Sequence, residues 1–220
     1  MVKQQKTGLG LFGGTFDPIH CGHIQSVQSV ANWLNLEKVL IIPAHIPPHK
    51  SSRDKSPHAS SEQRATMVEL ACQHHPVLAC DRREIKRAGY SYTVDTLKQL
   101  KQENPNKVLY FIIGMDSLQS FTTWHQHEEI LTLCHLVVNT RPNYCISQLN
   151  EATKALIDSR CAQNINTVSH EIAGKILFAN PIHIDISSSQ IRHRIQNELP
   201  YQQWLSSEII EFINKNQLYR

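Results

Sequence analysis

The sequence predicts an α/β fold: an open parallel sheet with helices on both faces, in a single domain over residues 1–220. Three observations predict it. Apolar runs of strand length alternate with stretches of helical period. Two of the runs, Val39–Ile42 (VLII) and Val108–Ile113 (VLYFII), are almost continuously apolar, as strands covered on both faces are. The first run passes through a glycine pair directly into an amphipathic stretch, which is how a strand–helix–strand unit begins. The pattern is Rossmann-like.

The elements follow in order. Leu9–Phe12 reads as the first strand, ending at Gly13-Gly14, and His20–Leu36 as the helix after it. Lys38–Ile42 is a strand. Pro43–Ser60 is a loop, because Pro, His and Ser crowd it. Ser61–Gln73 is a helix with Met67, Leu70 and Ala71 on one side, and Val77–Cys80 a short strand. Asp81–Arg87 carries mixed charge and reads as a solvated face. Thr93–Gln102 is a helix that Thr93 can N-cap. Val108–Ile113 is a buried strand, Glu128–Cys134 a helix and Leu136–Asn139 a strand. Ile146–Asp158 reads as helix and Lys175–Ala179 as strand. Ser188–Gln196 and the amphipathic Ser206–Asn214 are the last helices.

Composition narrows the class. Hydrophobic residues are 40% and charged residues 19%, enough apolar material for a sizeable core. A net charge of +3 is too mild to imply a nucleic-acid partner. Apolar runs stay far below membrane-spanning length, and Met1–Gly8 has no signal-peptide core, so a cytoplasmic protein without a membrane partner is expected. The six cysteines include no CxxC pair and read as reduced thiols.

GGTFDPIHCGHI, Gly13–Ile24, is the most informative stretch. A strand, a glycine turn and a helix start together receive phosphate: glycine permits close approach, and the first helical N–H groups are unpaired and partly positive. His20 and His23, three apart, are expected on one helix face. The pair alone fits metal ligands, surface residues or phosphate ligands. Its setting favours phosphate, and zinc lacks an obvious third ligand. Lys50 lies in a loop stiffened by three prolines and is a candidate phosphate cation, or else a solvated lysine. Asp116 follows a buried strand and Gly114, placed for polar contact or for helix capping. Trp124 suits stacking on a flat heterocycle, or the core. Ser187 and Ser188 open a helix with Arg192 one turn in, a second helix start able to hold phosphate.

The pairing of GGTFDPIHCGHI with ISSSQIR resembles the HxGH nucleotidyltransferases, relatives of class I aminoacyl-tRNA synthetases. PAHIPPHK, SYTVDTL, FIIGMDSLQSFTTW and Arg141-Pro142 narrow the resemblance to the bacterial nicotinate-nucleotide adenylyltransferases, from Leu9 to the final LYR. The resemblance implies AMP transfer from ATP to nicotinate mononucleotide, giving deamido-NAD and pyrophosphate. It implies His20, His23 and Arg192 as catalytic residues. ATP would be bound by these with Gly13, Gly14, Thr15, Phe16, Lys50, Ser187 and Ser188. Thr15, Lys50, Thr93, Asp116 and Trp124 would bind the mononucleotide. Mg2+ is expected through the ATP phosphates rather than through protein ligands, in a monomer or homodimer. His125 stands after Trp124 where the family often has an aromatic ring. Sister adenylyltransferases acting on nicotinamide mononucleotide or phosphopantetheine are the nearest alternatives. A His-based metallohydrolase and a non-enzymatic nucleotide- or RNA-binding module are more remote.

Overall fold

Alternating apolar strands and amphipathic helices build one sheet. A computed structural model describes residues 8–46, 56–140, 149–162, 168, 171–182 and 184–220. The strands are β1 (Gly8–Gly14), β2 (Lys38–Pro43), β3 (Leu78–Cys80), β4 (Val108–Gly114), β5 (His135–Asn139) and β6 (Ile176–Ala179). They form a six-stranded sheet in the order β3-β2-β1-β4-β5-β6, with every neighbouring pair parallel. The chain winds outward from β1 in one direction and from β4 in the other. Ligands of such sheets bind beyond the carboxyl ends of the strands at that reversal.

The helices are α1 (Cys21–Trp33), α2 (Ser61–Cys72), α3 (Arg83–Lys86), α4 (Thr93–Glu103), α5 (Met115–Ser120), α6 (His127–Leu133), α7 (Glu151–Arg160), α8 (Ser188–Gln196) and α9 (Ser207–Lys215). Side chains alternate across the strands, so each strand feeds two cores. On one face Val39, Ile41, Ile112 and Val137 pack with residues of α1, α2, α8 and α9. On the other, Leu11, Leu109, Phe111, Ile113 and Val138 pack with α4, α5, α6 and α7. This is the sandwich that the VLII and VLYFII runs predict.

Several boundaries move. The helix expected from His20 starts at Cys21, because His20 is extended (φ −146°, ψ 170°) and serves as its N-cap. Thr93 is the first residue of α4 and not its cap, which is Tyr92. Asp116 lies inside α5, whose cap is Gly114. Of the helix expected over Ile146–Asp158, residues 146–148 lie outside the described residues; the described part is Glu151–Arg160, where Asn150 accepts from the Thr153 N–H at 2.8 Å and sets the start. The charged stretch Asp81–Arg87 is not simply solvated. Glu84 is buried, and the Arg83 side chain is only 12% exposed where it pairs with Asp81 and Glu103. The described cysteines are free thiols.

Candidate active site

A cleft of about 1210 Å³ opens at the carboxyl ends of the central strands. Gly13, Gly14, Thr15, Phe16, His20 and His23 line it, as do Ser187, Ser188 and Arg192. Thr93, Asp116 and Trp124 also line it. Among the residues expected from sequence, Lys50 and the Arg141-Pro142 pair lie outside the described residues.

The turn after β1 is shaped by sequence in detail. Phe16 takes a left-handed φ of 53°, which a non-glycine residue adopts only when its surroundings hold it. Its buried ring does so, tilted on Phe12 at 5.5 Å and edge-on to His23 at 5.4 Å. The ring covers Gly14, where a Cβ would sit 2.7 Å from the Phe16 ring. Gly22 has the same office for His20: a Cβ there would lie 3.1 Å from His20 Nδ1.

The two imidazoles come together, though not as neighbours on a helix face. His20 is the cap and His23 the third helical residue, and their ring centroids are 3.7 Å apart. His23 Nδ1 accepts from the His20 backbone N–H at 3.3 Å, one arm of a capping box. An accepting Nδ1 puts the His23 proton on Nε2, so the imidazole is a donor without needing charge.

The second motif closes on the first. Ser187 caps α8, and Gln190 returns the bond to the Ser187 N–H at 2.7 Å. Ser188 Oγ donates to the Pro18 carbonyl at 2.9 Å, and Arg192 Nη1 donates to the Asp17 carbonyl at 2.6 Å. Segments 170 residues apart are thereby stitched through main-chain oxygens. Among the described residues, the Arg192 bonds engage Nη1, leaving Nε and Nη2 for other acceptors.

Three residues escaped the sequence reading. Arg64 is 1% exposed in α2. It donates to the carbonyls of Thr15, Ala44, His45 and Ala59, tying together the turns after β1 and β2 and the start of α2. Burial pulls its pKa down, while the nearby Asp17 charge opposes that. The signal was present, since Arg64 lies in helical register with Met67, Val68 and Ala71. Glu84 accepts from Thr96 Oγ1 at 2.7 Å, and Arg87 donates to the same oxygen at 3.0 Å. Burial pushes the Glu84 carboxyl up. Both contacts steady α4 beside the cleft. Tyr219, the third, donates to Asp17 Oδ1 at 2.8 Å, and no sequence spacing announces that pairing.

The far wall is aromatic. Trp124 lies 5.5 Å from Phe121 and 6.2 Å from Phe111, and its Nε1 donates to Ser120 Oγ at 3.3 Å. Half-buried and fixed, it offers a flat surface beside Thr93 and Asp116. His125 instead packs against Tyr92, its ring tilted at 38° with centroids 4.5 Å apart.

Known proteins match this arrangement. A family model described as cytidylyltransferase-like matches residues 11–194. A protein of Shigella boydii serotype 4, named "Probable nicotinate-nucleotide adenylyltransferase", is 40% identical over 211 residues, 96% of this chain and 97% of its own. One of the same name from Psychromonas ingrahamii is 39% identical over 220 residues, 98% of this chain and 99% of its own. The Plasmodium falciparum nicotinic acid mononucleotide adenylyltransferase, solved in complex with NaAD, shares the fold at a TM-score of 0.69 and 19% identity, over 97% of both chains. The chain belongs to the nicotinate-nucleotide adenylyltransferase family, within the cytidylyltransferase-like group.

Proposed function

We propose that this protein transfers AMP from ATP to nicotinate mononucleotide, releasing pyrophosphate and giving deamido-NAD. The carrying observation is the pair of bonds from Ser188 and Arg192 to the main chain of Asp17 and Pro18, which brings two helix starts to one cleft. Two helix starts bordering one cleft, with Arg192 beside them, suit a polyphosphate.

The chemistry asks mainly for placement. A phosphate oxygen of the mononucleotide attacks the α-phosphorus in line. A new P–O bond forms as the bond to the β-phosphate oxygen breaks, and pyrophosphate leaves with that electron pair. The nucleophile is already anionic, so no general base is required. Donors must instead offset repulsion between two anions and hold them in line. His20, His23 and Arg192 take the triphosphate in this reading, helped by Ser187, Ser188 and the Gly13–Phe16 backbone. Lys50 belongs to the same set by its sequence position. Thr93, Asp116 and Trp124 form the nicotinate side, with Trp124 as the stacking wall.

In this reading Mg2+ would come with ATP. Among the described residues no group of three or more His, Cys, Asp or Glu gathers into a cage. Asp17, the carboxylate inside the motif, is already occupied by the His58 and Ala59 N–H groups and the Tyr219 hydroxyl. Bound to the phosphates, Mg2+ would supply charge neutralisation there. Among the described residues no helix is long and apolar enough to cross a membrane. The substrates of this reading are cytoplasmic solutes, and we place the protein with them.

A coupled pyrophosphate assay tests the reading. ATP with nicotinate mononucleotide should release pyrophosphate faster than ATP with the amide mononucleotide. Silence with both rules the reading out.

A further inference from the structure

We propose that Tyr219 is a positioning residue for adenylyl transfer: its hydroxyl, bound to the Asp17 carboxylate, sets the turn of residues 15–18 and, through that turn, the Arg192 guanidinium. The inference rests on the reading of that turn as the ATP grip.

Tyr219 is 5% exposed and does not line the cleft, whereas Asp17 does. It therefore acts from behind the motif. Its backbone is left-handed (φ 64°), an unfavourable conformation for a tyrosine that the buried ring and hydroxyl hold in place. The Asp17 carboxylate is 4% exposed and takes three short bonds: His58 N–H at 2.8 Å, Ala59 N–H at 3.1 Å and the Tyr219 hydroxyl at 2.8 Å. The amide donors come from the start of α2, and only the hydroxyl comes from the turn after α9. The main-chain oxygen of the same Asp17 receives Arg192 Nη1. Side chain and backbone of one residue are thus held by separate partners, and the tyrosine is one of them.

Chemistry supports a lasting donor. Arg192 Nη1 stands 3.8 Å and His58 Nδ1 3.6 Å from Asp17 Oδ2, both beyond hydrogen-bond length. Burial raises the Tyr219 pKa above the ordinary tyrosine value, and the Asp17 charge raises it further. Both effects favour the protonated phenol, the form that donates. A buried carboxylate that loses a donor must relax toward another or toward water. Here relaxation moves the Asp17 carbonyl, and with it the anchor of Arg192.

Tyr219→Phe removes one oxygen and leaves the ring. Kinetics for both substrates should be measured well below the melting temperature, beside a wild-type control. We expect kcat about tenfold lower, in line with the cost of small misplacements. KM for nicotinate mononucleotide should stay within about twofold, because Thr93 and Trp124 are untouched. Asp17→Asn and the double variant complete a cycle, in which the double loses no more than the worse single. If the phenylalanine variant melts too low, trimethylamine N-oxide restores the fold and the kcat deficit should persist. An active wild type with unchanged kcat in Tyr219→Phe overturns the inference, as does an additive cycle. An inactive wild type overturns the function itself, and the inference with it.

Discussion

On the proposed reading, single side chains are what hold the anion in this cleft. His20 is buried and centred on the turn, and His23 carries its proton on Nε2 through the bond its Nδ1 accepts. Loss of one preorganised donor costs about 3 kcal/mol of barrier. His20→Ala should therefore keep its circular dichroism and cooperative melt while kcat falls on the order of a hundredfold. Steady-state kinetics at saturating ATP check this. Arg64 is the opposite kind of residue, since it faces four carbonyls and no cleft. Arg64→Met strands those oxygens and should cost about 3–5 kcal/mol of stability, read from urea midpoints. The histidines were legible because they stand in a short motif. Arg64 was legible only in principle, as a cation on an apolar stripe, where helical periodicity draws attention to the neutral residues around it.

At the scale of elements, α8 and α4 border the cleft with their first turns. α8 begins with a full capping box between Ser187 and Gln190. Ser187→Ala should destabilise the protein by about 1 kcal/mol and also raise KM for ATP, since the frayed start includes Ser188. Differential scanning calorimetry and kinetics on one preparation separate the two effects. α4 leans on Glu84, whose carboxyl is raised by burial. The folded state therefore binds that proton more tightly than the unfolded chain does. The resulting stability is complete below the ordinary glutamate value of 4.5 and is lost as pH rises through the folded value. Glu84→Gln keeps an acceptor for Thr96 and should flatten the fall in stability just above pH 4.5. Urea midpoints across that range test it. The strands were legible because apolar runs are their whole signature. The helix starts shifted by residues such as His20 and Thr93, where capping geometry, invisible to periodicity, sets the boundary. The mixed charges of Asp81–Arg87 read as solvent-facing because sequence cannot say which carboxylate finds partners inside.

Across the whole molecule, the sheet order explains why the site lies where it does. β1 and β4 are neighbours, so the turns after both open into one space, and Gly13, Asp116 and Trp124 share a cleft despite their spacing. Strand–helix alternation made that topology readable in advance, as parallel strands must cross over and do so with one hand. What the chain did not disclose was closure from behind, because bonds such as Tyr219 to Asp17 obey no local period.

Those closing bonds join residues 170, 175 and 202 positions apart. Contacts of such separation are the last to be rewarded while a chain condenses, because long loops must close first. If the cleft serves as proposed, any state that lacks these bonds lacks the assembled site. Turnover should vanish in urea together with the final packing signal and never outlast it.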